Sequence, residues 1–305
     1  MGSWTRECDM SANASTQTTT SASLKRPHTD DLPVRVAAHM RKYPSFWVGL
    51  LVLLVFLVLM FGAPLFATHD PMAQDMPNRL SPPSAEHYFG TDELGRDMFS
   101  RTIYGTQISL PMALVVVLIS LVGGSLLGAL AGFFGGIADE AIMRVADVTL
   151  AFPAVVLALA ISALLGPSLL NAAIAACVVI WPEYARLMRS QVLVFRAQDH
   201  VVAARSVGAT DLRVLFRHVL PLCWTPLIIK AALDVGAVIL LLSALSFLGL
   251  GVRPPTPEWG AMIAIGRTKF YEWWMATFPG LAILFVILGC NLISEGLRDW
   301  LDPKV

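Results

Sequence analysis

Apolar residues fill most of this chain in long runs divided by short polar segments, a pattern too continuous for the one-sided helices of a soluble core. A helix crossing a hydrocarbon layer about 30 Å thick needs roughly 20 largely apolar residues. Six segments approach that length: 46–66, 107–133, 141–165, 169–186, 222–248 and 278–294. They predict an all-α polytopic membrane protein with six transmembrane helices. Gly166-Pro167-Ser168 divides the third span from the fourth, and Pro111, Pro153 and Pro279 predict kinks. In the second span Gly124, Gly128 and Gly132 recur every four residues, the spacing that lets helix backbones approach closely in lipid, so they predict a packing face.

Outside the spans, residues 1–34 are rich in Ser, Thr and Ala without apolar periodicity, which predicts a disordered tail. Arg35, Arg41 and Lys42 among apolar neighbours predict a short surface helix before a membrane domain covering 35–305. The first apolar run starts near Phe46 and outlasts a signal-peptide core, which argues against a cleaved leader. Six spans place both termini on one side. Basic residues crowd the tail, the 187–220 segment and the C-terminal end, which predicts that this side is cytoplasmic. The segments carrying Arg79, Arg96, Arg101, Arg253, Arg267 and Lys269 then face outward.

Composition agrees with the pattern. Of 305 residues, 56% are hydrophobic and 14% charged, and the mean hydropathy is +0.65. That leaves too few charges to cover a soluble globule. A formal net charge of zero removes the basic excess expected of a nucleic-acid binder. Cys8 sits in the tail and Cys177, Cys223 and Cys290 in or beside apolar runs, with no disulfide framework or zinc spacing. His28, His39, His69, His87, His200 and His218 lie far apart, which predicts no metal site. Asp92, Glu93, Arg96 and Asp97, punctuated by glycine, read as a folded external plug or partner surface rather than a catalytic group. Tyr104, Trp259, Tyr271, Trp273 and Trp274 suit an interfacial aromatic belt.

Two sets of residues stand out as functional candidates. The first is Ala203, Ala204, Arg205, Gly208, Ala209, Asp211 and Leu212. Gly208 can take the left-handed conformation that stops a helix, Thr210 can cap the next, Asp211 suits its first turn, and Pro221 bars continuation. The predicted product is a bent pair of short helices with a flat surface at Ala203 and Ala204, edged by Arg205, Arg213 and Arg217. Spacing alone serves equally well for an ordinary basic loop that orients the protein. The second set is Lys230 and Asp234, one turn apart and roughly 12 and 18 Å into the fifth span. Charges at that depth cost about 2.5–3.5 kcal/mol each unless paired or wetted. They either line a translocation path or form a structural pair.

Ala203-Ala204 followed by Gly208 and Pro221 resembles the coupling motif of ABC importer permeases, although Val202 stands where that motif usually begins with Glu. Further stretches are similar to the peptide and nickel permeases: Gly90-Thr91-Asp92 with Gly95-Arg96-Asp97, Leu245 to Gly251, Pro254-Pro255-Thr256-Pro257-Glu258-Trp259-Gly260, and Gly296-Leu297-Arg298-Asp299 with Asp302-Pro303-Lys304. The resemblance runs from about Arg35 to the end and is closest to the second, C-type subunit of dipeptide and oligopeptide importers. It implies a type I ABC importer permease fold in a bacterial inner membrane. It also implies a non-enzymatic subunit forming half of a peptide pathway, and a related second permease. Two cytoplasmic ATPases would bind ATP and Mg, and an extracytoplasmic solute-binding protein would deliver the substrate. In keeping with this, the chain contains no Gly-x-x-x-x-Gly-Lys-Ser/Thr phosphate loop and is expected to hold no cofactor. The alternatives are a nickel-complex or glutathione importer of the same family, an ion-coupled transporter relaying through Lys230 and Asp234, and a non-transporting scaffold.

Overall fold

A computed structural model describes residues 44–301. The tail, the expected surface helix at 35–43 and the Asp302-Pro303-Lys304 motif lie outside the described residues. The order is α1 (Pro44–Phe61), the single turn α2 (Ala63–Phe66), a 3-10 turn at Met76–Asn78, α3 (Met98–Phe134), α4 (Gly136–Leu150), α5 (Ala154–Leu165) and α6 (Leu169–Phe195). Then come α7 (Asp199–Ser206), α8 (Asp211–Val214), a π turn at Leu215–Val219, α9 (Leu220–Phe247), α10 (Trp259–Gly266) and α11 (Trp274–Leu301). Among the described residues no strand forms; Thr91 and Asp97 make one isolated antiparallel bridge.

The all-α membrane reading holds. Among the described residues, four helical runs are long and apolar enough to cross a bilayer: α1, α3, the continuous run Asp211–Phe247, and α11. A fifth arises if α4 and α5, bent by 94° at their junction, count as one span. The kink expected at Pro153, within the third span at 141–165, is this sharp bend. Pro153 sits at the N-cap of α5, and a residue before proline is pushed out of the helical region, so the chain turns there. The fourth span was expected to end at Arg186, yet α6 continues to Phe195. Its last turns bury Met188 and Val192 and pair with α4, Arg189 to Asp139 at 2.5 and 2.6 Å and Arg186 to Asp147 at 2.7 Å. Such partly exposed ion pairs add little, about 0–1 kcal/mol each. Burial keeps the helix going, and the charges accompany it.

Helices α3 and α6 meet along the predicted glycine face. A Cβ on Gly124 would lie 2.4 Å from the Trp181 carbonyl oxygen, on Gly128 2.1 Å from that of Ala185, and on Gly132 3.0 Å from that of Arg189. A second close seam, not anticipated, joins α1 to α11. Gly49 faces the Gly289 carbonyl, where a Cβ would lie 2.7 Å away, and Gly296 faces Phe46 at 2.4 Å. Isolated glycines in separate spans carry no spacing signal, so only the packed helices expose this seam.

Between the fifth and sixth expected spans, where the sequence reads as a loop over 249–274, the chain forms α10. Glu258, 3% exposed, caps that helix by accepting the N–H groups of Gly260 at 2.9 Å and Ala261 at 2.8 Å. Trp259 is fully buried and donates to the Thr102 carbonyl at 2.9 Å, while the buried Trp274 donates to the Thr91 carbonyl at 3.1 Å. These two tryptophans are core residues rather than members of an aromatic belt; Tyr271 and Trp273 are the exposed ones. Burial pushes the Glu258 carboxyl above its usual range, against the lowering effect of the two backbone N–H groups. An acid whose folded pKa is raised contributes stability below its unfolded pKa and loses it as pH rises through the folded value. Glu258→Ala is expected to lower stability by about 2 kcal/mol, through lost capping and unsatisfied N–H groups. It should also flatten the decline of melting temperature with rising pH, which thermal denaturation across pH measures directly.

Candidate functional site

The segment 187–220 is mostly helical and firmly anchored. Beyond the end of α6, Arg196 donates to the carbonyls of Gly132 at 2.7 Å and Phe133 at 3.2 Å, closing the end of α3. Val201 of α7, Val214 of α8 and Leu215 and Val219 of the π turn are buried against Ala129, Phe133, Met188 and Val192. Gly208 has φ +85°. Its N–H reaches the Arg205 carbonyl at 2.9 Å, and the Ala209 N–H reaches that of Ala204 at 3.1 Å. This pair of bonds is the left-handed stop expected from the sequence. Ala204 and Ala209 pack on the same core and supply the apolar contact that accompanies it.

Three expectations for this elbow change. Ala204 turns partly inward, so the outward surface is made by Ala203 together with the exposed Val202, Val207 and Leu212. Thr210 occupies the cap position of α8, but its side chain makes no capping bond. Pro221 does not end the helical run: it falls in the first turn of α9, where a proline's missing N–H is not needed, and the π turn leads directly into that helix. Around the surface Arg205 lies 3.5 Å from Asp211, both exposed, and stacks 5.1 Å over the Phe133 ring. The result is a packed knuckle with an apolar face and a charged edge.

Lys230 and Asp234 come together with two residues that the sequence reading passed over. Lys230 Nζ lies 2.6 Å from Glu183 Oε2 of α6, 3.1 Å from Asp234 Oδ1 and 3.0 Å from its Oδ2. It also stands 5.3 Å over the ring of the fully buried Tyr184. The cross-helix bond to Glu183 is the shortest, consistent with the unfavourable Lys-before-Asp order within one helix. Glu183 and Asp234 line a cavity of about 290 Å³ between α5, α6 and α9 whose other walls are apolar. The available signal was Trp181-Pro182-Glu183-Tyr184, an acid directly after the apolar run 172–182.

The charged segment before α3 is a buried knot. Arg96 Nε bonds Asp92 Oδ2 at 2.6 Å, and Asp92 Oδ1 accepts the N–H groups of Leu94 and Arg96, both at 2.9 Å. Arg101 Nη1 donates to the carbonyls of Pro71 at 2.9 Å and Pro255 at 3.2 Å, tying two loops together. Asp97 caps α3 through Ser100 at 2.7 Å, and its other oxygen meets His87 Nδ1 at 2.9 Å. His69 and His87, far apart in sequence, stack with ring centroids 4.8 Å apart and planes tilted by 34°. The ligating atoms of His69, His87 and Asp97 lie within 4.8 Å of one another. Tetrahedral zinc, with bonds of about 2.0 Å, holds its ligand atoms roughly 3.3 Å apart. Stacked rings on a capping carboxylate make a staple for the loop.

The family model for the binding-protein-dependent transport system inner membrane component matches residues 124–305, which include the elbow and the Glu183, Lys230 and Asp234 cluster. That for the N-terminal TM domain of oligopeptide transport permease C matches residues 35–83. The chain is similar to the probable D,D-dipeptide transport system permease protein DdpC of Escherichia coli (strain K12), with 48% identity over 254 residues, 83% of this chain and 85% of that protein. It is 44% identical over 259 residues to the dipeptide transport system permease protein DppC of Alkalihalophilus pseudofirmus, 85% of each chain. It is also 40% identical over 268 residues to the glutathione transport system permease protein GsiD of Pectobacterium atrosepticum, 87% of this chain and 89% of that one. With a buried helical bundle, an anchored elbow and matches of this extent, the chain belongs to the binding-protein-dependent inner-membrane permeases of ABC importers, as a C-type subunit, and is not an enzyme.

Proposed function

We propose that this chain forms half of the translocation pathway for short peptides in a bacterial inner membrane, with both termini cytoplasmic. A related permease supplies the other half, a solute-binding protein delivers the substrate from outside, and two cytoplasmic ATPases hold ATP and Mg. The observation that carries this reading is the elbow. Ala203, Val207 and Leu212 face outward on α7 and α8, while Val201, Val214 and Leu215 root the same helices in the core of α3 and α6. A partner seated on that face moves the spans with it, because packed interiors transmit displacement rather than absorb it. Arg205, Gly208, Ala209 and Asp211 shape the seat, Ala204 backs it, and Asp234 faces the path through the α5–α6–α9 cavity with Lys230 as its ion-pair partner. Dipeptide and glutathione permeases among the relatives support a small peptide as cargo.

The test is reconstitution of the complete complex in vesicles with its binding protein and radiolabelled L-Ala-L-Ala or D-Ala-D-Ala. ATP-dependent accumulation of at least one of them is expected. Accumulation without the ATPases would overturn the coupling role of the elbow, and no ATP-driven accumulation of either dipeptide would overturn the peptide reading.

A further inference from the structure

Resting on the peptide-pathway reading, we infer that Glu183 and Asp234 form the subsite for the free α-ammonium group of the substrate, with Lys230 as its fixed counter-charge. The cluster holds two carboxylates and one ammonium, so Lys230 neutralises one acid and leaves a net charge of −1. The two carboxylates, not the lysine, line the cavity. Glu183 is the most accessible of the three, its side chain 49% exposed against 22% for Lys230 and 14% for Asp234. Asp234 Oδ2 is buried, with Lys230 Nζ 3.0 Å away as its charged neighbour. Two carboxylates that share a single ammonium, one of them accessible from the cavity, suit a second alkylammonium ion. The remaining walls, among them Val155, Val179, Ile180 and Leu241, are apolar and suit small side chains. In such surroundings a lone excess negative charge is costly, and an arriving cation relieves that cost.

A purely structural ion pair and an ammonium subsite predict different patterns. For the subsite, Glu183→Gln is expected to lower ATP-driven uptake of the transported dialanine at least tenfold in the reconstituted complex. Lys230→Met removes the counter-charge and should lower uptake as well, so the discriminating measurement is selectivity. The purified wild-type complex, titrated without binding protein, should bind dialanine at least tenfold more tightly than propionyl-alanine, the same skeleton without the ammonium, and Glu183→Gln at matched assembly should shrink that preference to less than about threefold. Equal binding of the two compounds by the wild-type complex, or a preference that survives Glu183→Gln, would assign the cluster to structure and overturn the subsite. A wild-type complex that transports neither dialanine isomer fails at the peptide reading itself. One that transports but shows no preference for the ammonium loses only the subsite.

Discussion

Gly128→Val is expected to leave little folded permease in the membrane. On the α3–α6 seam, a Cβ at this position would stand 2.1 Å from the Ala185 carbonyl oxygen and 2.8 Å from its carbonyl carbon and Cα. All three are backbone atoms, so no rotamer change clears them and the helices must separate. Separation costs the contacts along the whole interface, where Gly124 and Gly132 approach α6 one turn to either side. Overpacking a well-filled interior costs about 1–3 kcal/mol, and a backbone obstacle belongs at or above the top of that range. Against a total stability of about 5–15 kcal/mol, that is a large fraction. The control is the neighbouring Gly123, where a Cβ meets nothing within 4 Å; Gly123→Val is expected to be nearly neutral. Melting temperature and yield of the purified complex report both. Equal behaviour of the two variants would refute the seam.

Gly208→Val is expected to abolish most uptake while leaving the assembled complex intact. The two glycines act through different physics. A Cβ on Gly208 would meet nothing within 4 Å, so space is not the constraint. The backbone is, because φ is +85° and a β-branched residue is strongly disfavoured there. Left-handed backbone costs an ordinary residue about 1–2 kcal/mol, and the elbow can escape that cost by giving up the bonds from Gly208 to Arg205 and from Ala209 to Ala204. Then α7 no longer stops where it does, and Ala203 and Val207 turn away from a docked partner. The buried anchors Val201 and Val214 lie on the far side of the helices and keep the bundle folded. A tenfold or larger loss of uptake corresponds to about 1.4 kcal/mol or more of lost coupling. Asparagine tolerates the left-handed region, so Gly208→Asn should retain most activity. Wild-type uptake by Gly208→Val at equal assembly would remove the elbow from the mechanism.

Legibility followed the range of the interactions. The stop at Gly208 was readable because it depends on one residue and its immediate neighbours. The direction of Ala204 was not, since α3 and the π turn decide which side of α7 is covered. Lys230 and Asp234 announced themselves as charges in an apolar run, but Glu183 is 47 residues from Lys230 and joins them only when α6 packs on α9. His69 and His87 failed the spacing test for the same reason. Trp259 and Trp274 looked like interfacial residues because aromatic composition does not distinguish a belt from a core; their N–H groups, bonded to Thr102 and Thr91, do.

By itself the sequence determined the all-helical membrane class, the α3 packing glycines, the elbow's turn and the two charges within α9, because hydropathy, glycine spacing and φ preference act locally along one chain. The tertiary structure alone decided the length of α6, the α1–α11 seam and the meeting of Glu183, Tyr184, Lys230 and Asp234. Each of those depends on which helix lies opposite, and that choice is made by packing across the bundle.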